Sequence, residues 1–391
     1  MEHVFALVNN SLYWKYGISL LIIILTCVEI LIFSKKNCRL KSDYIRNNMS
    51  GGGGKLVYIS ALNVFSAIGV VILHANGIFW SRPTGVLWLS SNFIETFFYW
   101  PVPIFFMMTG ATLIGYLRRY NTSVFFLKRF TKTFLPFIFW SLFACAFCTL
   151  YEGRAMDWNI LHIVSNIFNA QYQGVYWFFP ALFSIYLSIP LLALVTNKLR
   201  AFQYVIIIGL VTNLAIPLLC NIINVPFNIR LKLDIAGGSL LYALSGYYLS
   251  RTDFTQKWRI IIYICGFAGW LIHYFGTLIS SAEQTFIVGT FKGYDNLPAF
   301  VQAVAVFVFF KYFFGKHQIY EQIKTLLVQT SGLTFGIYLI HMYFLNILHR
   351  ELSIDTGSLM WRIVGGLFVF CLSAHVIVIV KKIPFLKRVV P

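Results

Sequence analysis

Two histidines lie inside apolar segments of this chain. His74 is close to the end of Ile59–Asn76 (ISALNVFSAIGVVILHAN), and His341 ends the segment FGIYLIH at residues 335–341. An ionisable side chain at membrane depth is costly and usually marks a functional site. Histidine titrates near neutral pH, so a buried neutral imidazole can accept a proton from an attacking group. We predict that His74 is a general base, the alternative being an interhelical hydrogen bond.

Asn63 lies eleven residues before His74 in the same segment. Eleven residues of α-helix rise about 16.5 Å and make three turns with a small remainder. The two side chains are therefore expected on one face of a helix, at two different depths.

The composition indicates a polytopic membrane protein. Hydrophobic residues make up 59% of the 391 and charged residues only 11%, whereas a soluble domain carries about 25% charge. The net charge of +18 lies in short clusters between apolar segments, as membrane insertion requires, so nucleic acid is not an expected partner. We assign no metal ligands.

Eleven segments are long and apolar enough for transmembrane helices. They cover residues 16–34, 57–80, 88–117, 133–150, 176–196, 203–222, 235–250, 260–280, 298–315, 331–349 and 361–380. With the N-terminus outside, 23 of the 31 basic residues lie on the cytoplasmic side, in agreement with the positive-inside rule. We predict an all-α, polytopic membrane helical bundle of about 11 transmembrane helices. Residues 1–55 would hold an extra N-terminal helix and a basic, glycine-rich cytoplasmic linker, and residues 56–391 the main membrane domain.

Four segments carry a family resemblance through their order and spacing over about 290 residues. They are the His74 segment, PVPIFFMMTGATLIG (101–115), FFLKRFTKTFLPFIFW (125–140), and the pair YWFFPALFSIYLSIPLL (176–192) and FGIYLIH. Together they resemble the acyltransferase 3 family of integral membrane O-acyltransferases, whose members O-acetylate cell-surface glycans. The family core usually has ten spans, so the first helix here would be an addition. The family typically has arginine at the position of Asn63, and asparagine cannot neutralise a phosphate.

The resemblance implies transfer of an acetyl group from acetyl-CoA to a sugar hydroxyl, in a bacterial plasma membrane. His74 would then be the base or a transient acyl carrier, and His341 would position the acceptor or orient the reacting carbonyl. Glu95, near the outer end of the third span, would orient His74 or bind sugar hydroxyls. A water-exposed interfacial glutamate is the alternative for Glu95.

Residues for the donor and the acceptor are predicted at opposite ends of the bundle. A cationic cluster that could bind the phosphates of acetyl-CoA consists of Lys128, Arg129 and Lys132. Asn63 is a further candidate for binding this acyl donor. The basic residues that set membrane orientation would also produce such a cluster without any ligand. Tyr176 and Trp177 could bind a sugar, although interfacial aromatic belts have the same composition.

The predicted function is thus an O-acyltransferase with an acyl-CoA donor, a glycan or lipid-linked sugar acceptor, a lipid bilayer around it and a possible second copy as partner. A transporter or flippase for a polysaccharide precursor is the main alternative, with His74 and Glu95 in a proton or substrate path. A noncatalytic assembly subunit is a third hypothesis, and asparagine in place of the family's usual arginine at position 63 is the one feature of the sequence that indicates it.

Overall fold

The computed structural model describes residues 12–34, 57–155, 158–316 and 320–391, and in these ranges it holds helices and no strand. The predicted glycine-rich linker lies outside the described residues. The α-helices, in chain order, are α1 Leu12–Ser34, α2 Val57–Ala75, α3 Gly85–Phe97, α4 Pro101–Leu113, α5 Thr122–Arg129, α6 Leu135–Leu150, α7 Ile160–Phe168, α8 Phe178–Leu194, α9 Leu199–Gly209, α10 Ile216–Ile223, α11 Gly238–Arg251, α12 Gln256–Ser280, α13 Leu297–Lys316, α14 Glu321–Ser331, α15 Thr334–Glu351 and α16 Gly366–Val380.

Three π-helical turns interrupt this pattern. They cover Phe130–Phe134 between α5 and α6, Leu210–Ala215 between α9 and α10, and Trp361–Gly365 before α16. A π turn contains one more residue than an α turn and is frequent at functional sites. Two of the three carry a cation, Lys132 and Arg362.

The prediction of an all-α, polytopic membrane bundle is confirmed. Among the described residues, eight helical stretches are long and apolar enough to cross a membrane, or up to nine if a bent pair counts as one span, and a shorter apolar stretch, Gly17–Glu29, lies in α1. These stretches account for eight to nine of the about 11 predicted spans, and the predicted first span, 16–34, corresponds to α1. The predicted span 235–250 is α11, whose 14 residues rise about 21 Å against a hydrocarbon core of about 30 Å. The predicted span 331–349 is the second half of the bent pair α14–α15, which turns by 62° at its break.

Small residues set the closest helix contact, between α4 and α11. A Cβ atom on Gly246 would lie 2.0 Å from the carbonyl oxygen of Met107, and one on Gly110 would lie 1.8 Å from that of Ala243. The two backbones approach as closely as in other membrane helix pairs built on small residues. This contact holds α11 in the bundle although α11 is short.

Helix α2 lies at the centre of the fold, because it packs against α4, α13, α14, α15 and α16. Fourteen of its 19 residues are buried. The N-terminal helix α1 packs against α9, α10, α12 and α13. The helix that carries His74 is therefore surrounded by protein and not by lipid.

Candidate active site

The structure brings His74 and His341 together. His74 lies next to the last residue of α2 and His341 lies in the middle of α15. Their ring centroids are 5.2 Å apart with a 38° angle between the rings. His341 is fully buried, whereas His74 is partly exposed. Part of His74 is therefore accessible, and the ring of the buried His341 lies next to it.

Hydrogen bonds define the protonation of His341. Its Nδ1 is 2.8 Å from the carbonyl oxygen of Tyr338 and 3.2 Å from that of Ile337. Carbonyl oxygens only accept, so the hydrogen-bond pattern assigns the proton to Nδ1. The opposite nitrogen, Nε2, is buried and has no hydrogen-bond partner in the described part of the chain. The lone pair on Nε2 is consequently free to accept a proton or a hydrogen bond.

A second contact links α2 to the same bent helix pair. Asn63 Nδ2 donates to Ser331 Oγ at 3.1 Å, ten residues before His341. Asn63 thus contacts α14 and His74 contacts α15, so both residues face the same bent helix pair. This agrees with the prediction that Asn63 and His74 share one face of α2. Near Ser331, the Nζ atom of Lys381 donates to the carbonyl oxygen of Gly332 at 2.8 Å, within the break between α14 and α15.

A polar network holds the C-terminal end of α2. Asn76 Nδ2 donates to the Ser91 carbonyl at 2.9 Å. The guanidinium of Arg362, which is 2% exposed, donates to Ser90 Oγ at 3.0 Å and to Asn76 Oδ1 at 3.4 Å. Arg362 was not predicted, since its only signal in the sequence is a cation at the start of the last apolar segment. These contacts fix the helix end two residues beyond His74.

Glu95 is buried and paired, so the interpretation of Glu95 as a water-exposed interfacial residue is wrong. Its carboxylate accepts a hydrogen bond from Lys292 Nζ at 2.7 Å, and both side chains are 4% exposed. Burial lowers the pKa of the Lys292 ammonium, and the Glu95 carboxylate opposes that shift. The Nζ atom of Lys292 also lies 4.1 Å from the ring centroid of Tyr99. Lys292 was not predicted, because it lies in the loop between α12 and α13 without a motif around it.

The two predicted acceptor residues have different surroundings. Tyr176 is 1% exposed, and its hydroxyl donates to the carbonyl oxygen of Leu339 at 2.8 Å. That bond fixes α15 two residues before His341. Trp177 is 42% exposed, and its ring stacks on Tyr294 with centroids 5.5 Å apart. Only Trp177 therefore presents a free aromatic surface.

The predicted cationic cluster lies at the junction of α5 and α6. Lys128 Nζ is 3.9 Å from the ring of Tyr120, and the Arg129 guanidinium is 5.5 Å from the ring of Tyr186. Arg129 Nε is buried without a hydrogen-bond partner among the described residues. Lys132 is exposed on the π turn that joins α5 to α6. The cluster thus combines three cations with one unsatisfied donor, which fits an anionic ligand.

A fourth cation, Arg251, contacts this end of the bundle from α11. It stacks on Tyr247 at 4.8 Å, and Arg118 and Arg119 lie close enough for their charges to act on it. The sequence analysis did not single out Arg251. Across the described residues, no group of three or more His, Cys, Asp or Glu side chains is arranged to hold a metal ion.

The fold and the histidine pair define a multi-pass membrane protein with buried acid–base groups at the centre of a helical bundle. The family model described as an acyltransferase domain matches residues 56–378. The chain therefore belongs to the acyltransferase 3 family, as the four sequence segments predicted, and it is a membrane acyltransferase. No curated protein and no solved structure matches the chain.

Proposed function

We propose that this membrane acyltransferase is an O-acetyltransferase, with acetyl-CoA bound from the cytoplasm as donor and a hydroxyl of a cell-surface polysaccharide or lipid-linked sugar as acceptor. The observation that carries the proposal is the contact of His74 with His341, whose unpaired Nε2 can take part in proton transfer. The bacterial plasma membrane is the proposed location.

Transfer from a thioester to an alcohol needs a base for the hydroxyl proton. The hydroxyl oxygen attacks the thioester carbonyl carbon while its proton passes to the His74 imidazole. The carbon–sulfur bond then breaks, and the proton passes on to the departing thiolate. His341 would hold His74 in place and accept a hydrogen bond at Nε2. In an alternative route, a His74 nitrogen attacks the thioester and takes up the acetyl group as the thiolate leaves. The sugar hydroxyl then attacks the acetyl group on His74, and the imidazole leaves.

The two ends of α2 suit the two substrates. The cations Lys128, Arg129 and Lys132, joined by Arg251, supply charge for the phosphates of acetyl-CoA. The Asn63 amide lies on the face of α2 that leads from that end toward His74. The acceptor would approach His74 from the opposite end, where Trp177 is exposed.

Purified protein in lipid nanodiscs, supplied with radiolabelled acetyl-CoA and a glycan extract, would test the proposal. His74→Ala should lower label transfer by about 10²- to 10⁴-fold, the usual contribution of a general base. His375→Ala is the matched control, because this histidine also lies in a membrane helix but is exposed on α16. His375→Ala should transfer label like the unaltered protein.

Equal transfer by the His74→Ala variant and the unaltered protein would contradict the role of His74. Movement of a glycan precursor across the vesicle membrane without any acyl thioester would favour the transporter instead. Base-labile acetate on surface glycans of cells that lack and regain the gene provides the corresponding test in vivo.

A further inference from the structure

Three aromatic rings form a stack, one from the junction of α3 and α4, one from the loop that joins α12 to α13, and one from the turn before α8. Tyr99 and Tyr294 stack at 4.4 Å with a 13° interplanar angle, and Tyr294 stacks in turn on Trp177 at 5.5 Å and 23°. Tyr99 is 6% exposed, whereas Trp177 is 42% exposed. The stack therefore has a buried inner ring and an exposed outer ring.

The surrounding contacts fix this stack in advance of any ligand. Lys292, two residues before Tyr294, is anchored by Glu95 at 2.7 Å and lies against the ring of Tyr99. The hydroxyl of Tyr242 donates to the backbone carbonyl of Tyr294 at 2.6 Å. A preformed surface loses little conformational entropy when a ligand binds, so it is suited to recognition.

The outer ring lies near the histidine pair. The hydroxyl of Tyr338 donates to the carbonyl oxygen of Val175, two residues before Trp177. The ring of Tyr338 is in turn 5.9 Å from the ring of His341. One aromatic side chain thus separates the turn that carries Trp177 from His341.

An exposed carboxylate follows the middle ring of the stack. Asp295 is adjacent to Tyr294 in the chain and is exposed. A carboxylate accepts hydrogen bonds from hydroxyl groups and repels other anions. An aromatic face packs on the C–H groups of a sugar ring. The two features together favour an uncharged sugar with free hydroxyls over a sugar acid or a sugar phosphate.

We propose that Trp177, supported by Tyr294, and the carboxylate of Asp295 form an acceptor subsite for an uncharged pyranose. This inference rests on the proposed transfer to a sugar hydroxyl and adds the chemical class of the acceptor. Trp177 provides the stacking surface and Asp295 excludes anionic acceptors.

Kinetics with two probes that differ only at C6, methyl β-glucopyranoside and methyl β-glucuronide, would test the subsite. The full chain in nanodiscs should acetylate the neutral probe with the lower KM. Trp177→Ala should raise that KM about tenfold with little change in kcat, and Trp177→Phe should restore part of the difference. Asp295→Asn should reduce the difference in KM between the neutral probe and the anionic probe. Trp158→Ala is the matched control, since Trp158 is 79% exposed on another loop.

Binding of labelled acetyl-CoA and its hydrolysis without acceptor would be measured in parallel. An unchanged acceptor KM in Trp177→Ala, with donor use intact, would overturn the subsite and leave the acetyltransferase proposal in place. Transfer to neither probe, or an equal preference for both, would also overturn it. A protein that neither binds nor consumes acetyl-CoA would instead contradict the proposed function itself. If Trp177 only anchors the protein in the lipid bilayer, Trp177→Ala should lower the thermal stability without altering the acceptor KM. That result would also overturn the subsite.

Discussion

The buried ion pair Glu95–Lys292 allows the contribution of a buried charge pair to the folding free energy of this bundle to be measured. The two charged atoms are 2.7 Å apart and both side chains are 4% exposed. At an effective dielectric constant of about 20, their attraction is about 6 kcal/mol. Desolvation of both charges offsets much of this gain, so the net contribution of the pair is small.

Removal of one partner should be far more harmful than removal of both. Glu95→Gln leaves the Lys292 ammonium buried without a counter-charge, and Lys292→Met does the same to the Glu95 carboxylate. Each single variant should lose about 3–5 kcal/mol of folding free energy, whereas the double variant should lose much less than the sum. Lys292→Met also removes the contact with the ring of Tyr99.

Reversible unfolding in mixed micelles, followed for the four proteins of the double-mutant cycle, gives the coupling energy. We expect a coupling of about 3 kcal/mol, within the range of contacting residues. The exposed pair Glu321–Lys324 is the control, with side chains 82% and 35% exposed, and its coupling should stay below about 1 kcal/mol. Additive losses at Glu95 and Lys292 would show that the two buried charges do not stabilise each other.

Two further perturbations address the packing of α11. Gly246→Ala places a Cβ 2.0 Å from the Met107 carbonyl oxygen and should abolish monodisperse protein in size-exclusion chromatography. Gly77→Ala, which meets nothing within 4 Å, should elute normally. Lys311→Met removes the buried ammonium that donates to the Leu249 and Thr252 carbonyls at the end of α11. The loss of these two hydrogen bonds from a charged donor should cost about 1–3 kcal/mol each. A thermal-shift assay should show a clearly lower midpoint, and an unchanged midpoint would contradict this role of Lys311.

The sequence predicted the bundle and identified His74 and His341 as candidates, because apolar length and an ionisable residue in an apolar segment are local patterns. The contact between the two rings was not predicted, because it depends on the packing of α2 against α15. Apolar length identifies membrane helices, and the spacing from Asn63 to His74 places both on one face of α2. The ends of the helices could not be predicted as well, since apolar composition does not show where a helix ends. The short α11 depends on close backbone contact at Gly110 and Gly246, and composition does not reveal such a contact.

The partners of Glu95 and Trp177 could not be predicted for a different reason. Lys292 and Tyr294 lie about 200 and 120 residues further along the chain, in a loop without regular periodicity. Their contacts arise from tertiary packing, on which a single sequence carries no signal. Trp177 could therefore be predicted as a candidate, whereas Tyr294, the ring on which it stacks, could not.

The π turns also restrict where this chain can lose a single residue without a change in its contacts. Each contains one residue more than an α turn, and removal of that residue would rotate one side of the helix against the other by about 100°. In Trp361–Gly365 such a deletion would turn Arg362 away from Asn76 and Ser90, and in Phe130–Phe134 it would turn Lys128 and Arg129 away from the start of α6. Single-residue gaps within these two helical stretches should therefore be tolerated poorly, whereas gaps in the loops between helices affect none of these three cations.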